Sequence, residues 1–179
     1  DVGSGSGDIA SEILKENLST SLYLLDLNEE MLLEGRKRLR KEKNIKYFIG
    51  NAEKLNFENN FFDKYTISFC LRNVTEYLLS IKEAYRVLKP GGKYCCLEFS
   101  TPKSSLVSSS YKIYKSKILP LLGEIVAKDK NAYKYLSESI DLFPSQEELS
   151  KNLSDCGFTK VETINLFNGI VAIHTGYKL

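Results

Sequence analysis

The sequence predicts an α/β fold with a mostly parallel sheet and helices on both of its faces. Short apolar runs alternate with amphipathic helical patterns from the glycine-rich start to about residue 99. The last two strand patterns, 158–167 and 170–177, are joined by Asn168-Gly169, which predicts a two-residue hairpin. A chain of 179 residues with 42% apolar and 27% charged residues fits one globular domain.

The first elements follow from local patterns. The opening segment DVGSGSG predicts a turn, and Asp8 then begins a helix whose apolar positions recur at helical spacing. A buried-strand pattern at 22–25 ends in Asp26. Asn28 is a good N-cap for a helix that runs to about residue 42, and 46–49 is the next strand pattern.

Later elements are a strand at 62–69, a helix at 76–88 stopped by Lys89-Pro90-Gly91-Gly92, a strand at 94–99 and a helix at 146–156. Residues 103–145 interrupt this rhythm, and they predict a helical lid inserted into a single domain that spans 1–179. The chain begins with Asp1 inside the glycine loop, so the first strand is expected to be missing and the domain to be N-terminally truncated. A piece without that strand is expected to aggregate or to melt without cooperativity.

Composition excludes several classes of protein. The chain has 25 basic and 23 acidic residues, which argues against a nucleic-acid partner. Its four cysteines form no CxxC pair and it has one histidine, so we expect reduced thiols and no metal site. No apolar run approaches the roughly 18 residues that a membrane span requires.

The glycine loop predicts a ligand site at a helix N-terminus. Gly3, Gly5 and Gly7 allow a ligand to approach the backbone closely. The dinucleotide fingerprint requires Gly or Ala where Asp8 stands. An acidic residue there disfavours a pyrophosphate, and with it NAD, and favours S-adenosylmethionine (AdoMet), which has a positive sulfonium and no phosphate.

Polar residues at the ends of three strands extend this predicted site. Asp26 can accept hydrogen bonds from both ribose hydroxyls. Asn51 and Ala52 can meet an adenine edge, although Asn51 is equally typical of a turn. Ser68 lies where open α/β sheets bind ligands, and it can instead be a small hydroxyl in the core.

Several longer stretches carry a family resemblance. They are LRNV at 71–74, RVLKPGG at 86–92, LEFS at 97–100, FPSQEE at 143–148 and GIVAIH at 169–174. Together they closely resemble the ubiquinone/menaquinone biosynthesis C-methyltransferases over nearly the whole chain. The resemblance implies a Rossmann-like class I AdoMet-dependent methyltransferase with a seven-stranded sheet and a reversed last strand.

The resemblance also implies a reaction and a cofactor site. The enzyme would methylate a ring carbon of a polyprenyl benzoquinol in ubiquinone biosynthesis. The alternatives are a demethylmenaquinol methyltransferase and a non-catalytic AdoMet-binding subunit of a quinone-biosynthesis complex. The family's cofactor contacts correspond to Ser6, Asp26, Asn51, Ala52 and Ser68, with Gly3, Gly5 and Gly7 contributing backbone.

The proposed chemistry assigns roles to a few side chains. Arg72 is expected to stabilise a phenolate directly or through a water, and Asn73 to orient the hydroxyl; the alternative for Arg72 is a surface ion pair. His174 is expected to be a packed structural histidine rather than the base. The family usually has Gly where Cys70 stands, which predicts a tighter pocket wall.

The lid carries the remaining predictions. Tyr111, Tyr114 and Tyr133 either line an aromatic slot for the quinol or pack elsewhere. The basic and apolar stretch 112–126 either contacts a membrane surface peripherally or packs as a core helix. From the resemblance follow a homodimer, a ubiquinone-biosynthesis complex, and a location on the matrix side of the mitochondrial inner membrane, with the bacterial cytoplasm as the alternative.

Overall fold

The computed structural model describes residues 1–16, 19–100 and 130–179, without the side chains of 130–134. Its helices are α1 (Asp8–Glu16), α2 (Glu29–Arg38), α3 (Tyr77–Val87), α4 (Lys130–Leu142) and α5 (Gln146–Asp155). Its strands are β1 (Leu22–Asp26), β2 (Ile45–Ile49), β3 (Phe62–Ser68), β4 (Leu88–Phe99), β5 (Thr159–Leu166) and β6 (Val171–Tyr177). The α/β prediction is confirmed.

The strands form two ladders that one residue joins. Strand β1 pairs in parallel with β2, and the second ladder has the order β3-β4-β6-β5. Val2 bridges in parallel to Leu25 of β1 and to Ile67 of β3, so it lies between the two ladders. Strand β6 runs antiparallel to both β4 and β5, as the hairpin signal predicted.

Apolar residues on opposite faces of β1 belong to two separate cores. Leu24 packs with α1 and α2. Leu25 belongs to the larger cluster, which includes Ile81 of α3 and Leu149 of α5. Because successive strand residues point to opposite faces, one strand anchors both layers. Helices therefore cover both faces of the sheet, and the loops after the parallel strands remain free to form a site.

Three details differ from the sequence-based expectations. Helix α2 ends at Arg38 rather than near residue 42. Its N-cap is Asn28 as predicted, and the Asn28 side chain accepts from the N–H groups of Glu30 and Met31. Strand β4 begins at Leu88, so the Pro-Gly-Gly segment belongs to the strand. The β5–β6 connection has four residues, since Leu166 pairs with Val171. Left-handed backbone at three consecutive residues, 167–169, makes this turn wider than a two-residue hairpin.

The predicted lid lies mostly outside the described residues. Tyr111, Tyr114 and the stretch 112–126 belong to that part of the chain. The end of the predicted lid is helix α4, which includes Tyr133, although the side chain of Tyr133 is also outside the described part. Within the described ranges, no helix combines the length and the hydropathy that crossing a bilayer demands.

His174 is a buried residue of β6, and its Nε2 lies 3.2 Å from the carbonyl oxygen of Gln146. Burial lowers the pKa of His174 below its usual 6.5, although the hydrogen bond to Gln146 opposes this shift. Below pH 6.5 His174 binds a proton more readily in the unfolded chain than in the folded one. Acidification therefore favours unfolding.

We expect wild-type stability to fall between pH 7.5 and 5.5, and His174→Gln to reduce that fall. The glutamine amide can still donate to the carbonyl of Gln146, but it does not titrate. Urea unfolding at both pH values measures the effect. Equal pH dependence in the two proteins would show that His174 contributes nothing to acid sensitivity.

Candidate active site

A cleft of about 380 Å³ opens at the carboxyl ends of β1, β2 and β3. This volume lies within the usual range for small-molecule sites. The lining residues come from the glycine loop and from the segments that follow the three strands. They are Val2, Gly3, Leu25, Asp26, Leu27, Gly50, Asn51, Ala52, Glu53, Phe69, Cys70, Asn73, Val74 and Thr75.

Gly3 is the part of the glycine loop that lines the cleft. Its φ of +64° favours glycine, and an added Cβ would lie 2.2 Å from Sγ of Cys70. The loop and the segment after β3 therefore touch directly. Burial raises the pKa of the Cys70 thiol to about 11, so this side chain is an uncharged wall at neutral pH.

Asp26 connects the glycine loop to the start of α2. One carboxylate oxygen accepts from the Gly5 N–H at 2.8 Å, and the other accepts from the Asn28 N–H at 2.9 Å. Each carboxylate oxygen has a further lone pair. The carboxylate can thus shape the loop and still accept hydrogen bonds from a diol in the cleft.

Asn51 and Ala52 also line the cleft, at the end of β2. The side-chain oxygen of Asn51 accepts from the Glu53 N–H at 2.9 Å, an arrangement typical of an Asx turn. Ala52 is buried. The amide of Asn51 therefore holds its own turn, and this turn lines the cleft.

The other predicted cofactor residues do not line the cleft. Gly5 and Ser6 pack against Gly35 of α2, where an added Cβ would lie 3.3 Å from the Ser6 carbonyl carbon. A Cβ on Gly7 would lie 2.8 Å from Leu39. These contacts fix how closely α2 approaches the loop. Ser68 is half-buried at the end of β3.

Asp8 has a partner that its sequence position does not reveal. Arg38, thirty residues later at the end of α2, forms a hydrogen-bonded ion pair with it. Hydrogen bonds from Arg38 and Ser6 lower the pKa of Asp8. Because a cation compensates this carboxylate, its repulsion of phosphate is weaker than the sequence argument assumed.

Arg72 forms a buried ion pair with Glu98. Their side chains are 10% and 2% exposed, and Nη1 of Arg72 lies 2.7 Å from Oε1 of Glu98. The same nitrogen donates to the carbonyl of Phe69 at 2.6 Å, and the guanidinium lies over the Phe99 ring. Burial raises the pKa of Glu98, and Arg72 opposes that shift. The predicted alternative of a surface ion pair is therefore wrong.

Asn73 lines the cleft, whereas Arg72 lies behind it. Oδ1 of Asn73 accepts a hydrogen bond from the hydroxyl of Tyr135 on α4 at 3.0 Å. Sequence reasoning missed both Tyr135 and Glu98. Glu98 stands in the LEFS stretch at the end of a strand, which is a signal for a site residue; Tyr135 has no local signal. Among the described residues, no three potential metal ligands come together.

Curated relatives resemble the chain over its whole length. The profile described as the ubiE/COQ5 methyltransferase family matches residues 1–178. The ubiquinone/menaquinone biosynthesis C-methyltransferase UbiE of Rickettsia bellii is 48% identical over 100% of this chain and 75% of its own length. The protein of the same name from Rickettsia prowazekii has the same identity and coverage.

Solved structures resemble the fold at lower sequence identity. A methyltransferase from Aquifex aeolicus, described as SAM-dependent, is 17% identical, with a TM-score of 0.71 over 100% of this chain and 80% of that one. The [4+2]-cyclase SpnF has a TM-score of 0.75 at 15% identity, over 99% of this chain and 73% of that one. These likenesses bear on the fold, whereas the profile match and the 48% identity establish descent. The chain belongs to the ubiE/COQ5 methyltransferase family.

Proposed function

We propose that this protein transfers a methyl group from AdoMet to a ring carbon of a polyprenyl benzoquinol. The observation that carries the proposal is that one cleft adjoins both Asp26 and the segment 69–75. A methyl donor held at the first and an acceptor held at the second would meet within one cavity. The rickettsial relatives, named for quinone biosynthesis, support a quinol as the acceptor.

The residues of the cleft fit AdoMet. Gly3 provides a backbone surface that a side chain would block, and Asp26 retains free lone pairs for a ribose diol. The Asn51–Ala52 turn lies beside them. When bound, AdoMet supplies an electrophilic methyl group.

Carbon methylation requires electron density on the acceptor ring, which loss of a ring-hydroxyl proton to water provides. The ring carbon would then take the methyl group as the bond from that methyl to sulfur breaks, leaving S-adenosylhomocysteine, and the proton of that ring carbon would pass to solvent. Asn73 is positioned in the cleft to bind that hydroxyl. Arg72 contributes behind the cleft in two ways: it holds the Phe69 carbonyl, and its permanent charge favours a nearby phenolate. The Glu98 carboxylate limits the second effect, because its charge opposes that of Arg72.

Other parts of the proposal concern the pathway and the setting. Demethylmenaquinol is the alternative acceptor, and the names of the relatives include both quinones. A non-catalytic AdoMet-binding subunit is the alternative that the absence of methyl transfer would favour. A homodimer, a complex with other biosynthetic proteins and peripheral membrane contact belong to the proposal. The location of the protein is also part of the proposal, and the bacterial relatives favour the bacterial cytoplasm over the matrix side of the mitochondrial inner membrane.

We expect label from methyl-labelled AdoMet to appear in a reduced 2-methoxy-6-polyprenyl benzoquinol. Parallel reactions contain demethylmenaquinol or no acceptor, and label is counted in the extracted lipid. Label in demethylmenaquinol alone would move the enzyme to the menaquinone pathway. Bound AdoMet with no label in either lipid would favour the non-catalytic subunit.

A further inference from the structure

An aromatic ring and two polar side chains lie together beside the segment after β3. Phe69 and Asn73 line the cleft, and the Tyr135 hydroxyl donates to Asn73. We propose that Phe69, Asn73 and Tyr135 form the subsite that recognises the hydroxyl-bearing ring of the methyl acceptor. This inference rests on the proposed function, since it names the groups that select the acceptor.

Phe69 is held at the cleft in an unfavourable backbone conformation. Its φ is +52°, which is rare for a bulky residue and is retained only where the surrounding structure enforces it. Its N–H donates to the Leu97 carbonyl at 2.8 Å, and its own carbonyl accepts from Arg72. The ring packs on Phe99 with centroids 4.8 Å apart, and the residue as a whole remains 38% exposed. The strained residue thereby presents an aromatic surface to a ligand.

The Asn73–Tyr135 pair has the hydrogen-bonding pattern that a phenol requires. A phenolic hydroxyl needs an acceptor for its proton and a donor for its oxygen. The Tyr135 hydroxyl donates to Oδ1 of Asn73 at 3.0 Å, and its oxygen keeps lone pairs that can accept. Within the described residues, the Asn73 amide nitrogen makes no hydrogen bond, so its N–H groups are available to the ring oxygen.

Tyr135 is presented by a helix whose end is anchored to the rest of the domain. Ile140 of α4 is buried, and Phe143, just beyond the helix, packs on the Tyr77 ring with centroids 6.1 Å apart. The Tyr77 hydroxyl in turn accepts from Asn152 of α5 at 2.9 Å. Tyr135 itself is 55% exposed, and its hydrogen bond to Asn73 places its hydroxyl beside a side chain that lines the cleft.

The test compares Tyr135→Phe with wild type, using a short-chain 2-methoxy-6-prenyl benzoquinol and its two monomethyl ethers. Calorimetry with S-adenosylhomocysteine measures acceptor binding without turnover. We expect Tyr135→Phe to weaken quinol binding about three- to tenfold, as the loss of one hydrogen bond predicts. We expect one of the two ethers to bind wild type about three- to tenfold more weakly than the quinol does. Tyr135→Phe is expected to weaken the binding of that ether by less than about a further twofold, because the ether already lacks the hydrogen bond. Binding of S-adenosylhomocysteine is expected to stay unchanged.

Two further variants distinguish a specific contact from a general effect. Tyr177→Phe is the matched control. Tyr177 pairs with Lys93 at the end of β6 that is opposite Phe99, and among the described residues its ring stacks only on the Lys93 ammonium. Phe69→Leu is expected to weaken the quinol and both ethers by the same factor, since it removes a ring surface rather than a hydrogen bond.

The outcomes separate this inference from the proposed function. A wild-type enzyme that methylates the quinol, with a Tyr135→Phe variant that binds it equally well, would overturn the subsite alone. The subsite would also be overturned if Tyr135→Phe weakened binding of both ethers by the same factor as it weakens binding of the quinol. A wild-type enzyme with no methyl transfer to any quinol would overturn the proposed function and the subsite together.

Discussion

Arg72→Ala is expected to destabilise the fold by about 3–5 kcal/mol, because it leaves the Glu98 carboxylate buried and unpaired. Turnover is expected to fall as well. Urea unfolding gives the stability, and methyl transfer to the quinol gives the activity. Adding Glu98→Gln to Arg72→Ala removes the unpaired charge, so we expect the double variant to recover most of the lost stability.

The double variant separates the two roles of Arg72. If the guanidinium acts on the reaction, turnover stays low after stability returns. If turnover recovers with stability, Arg72 has only a structural role and leaves the catalytic assignment. Lys89→Ala is the matched control: it breaks an exposed pair with Asp63, and we expect a change below about 1 kcal/mol.

Asp26→Ala is expected to weaken AdoMet binding about 10- to 100-fold. The carboxylate orders the loop through Gly5 and Asn28, and we propose that it also accepts from the ribose. Hydrogen bonds to charged groups contribute about 1.5–3 kcal/mol, which corresponds to this range. Calorimetric titration with AdoMet measures the loss.

Asp26→Asn refines this experiment. The amide keeps one acceptor oxygen and its shape, so a smaller loss than in Asp26→Ala is expected. Asp63→Asn, at an exposed position distant from the cleft lining, is expected to leave AdoMet affinity unchanged. An Asp26→Ala protein that binds AdoMet as tightly as wild type would remove Asp26 from the cofactor site.

Local sequence patterns predict those parts of the fold that depend on neighbours along the chain. Asn28 begins α2 because an Asn side chain can accept from the first free N–H groups of a helix. The predicted start of β4 at residue 94 is too late because Pro90 and Gly91 are typical of turns, whereas Leu88 already pairs with Phe62 of β3 and the ladders to β3 and β6 both include Lys93. Residues remote in sequence supply that pairing.

The candidate site divides in the same way. Strand-end positions predict Asp26 and Asn51, because parallel strands bring such positions to one edge of the sheet, whereas Ser68, chosen by the same rule, does not line the cleft. No strand-end rule predicts where a long side chain points. Arg72 turns behind the cleft to Glu98, and Asp8 pairs with Arg38 across thirty residues.

The order of the elements, the reversed last strand, the glycine loop with Asp26 and the family can be predicted from the sequence alone. These depend on periodicity, on backbone preferences and on motifs contiguous in the chain. In contrast, three features emerge from the packing of distant elements: which predicted residues face the cleft, the buried pairing of Arg72, and the contact of Tyr135 with Asn73. Burial and hydrogen-bond partners are properties of packed elements, and residues distant in sequence provide them, so local patterns do not reveal them.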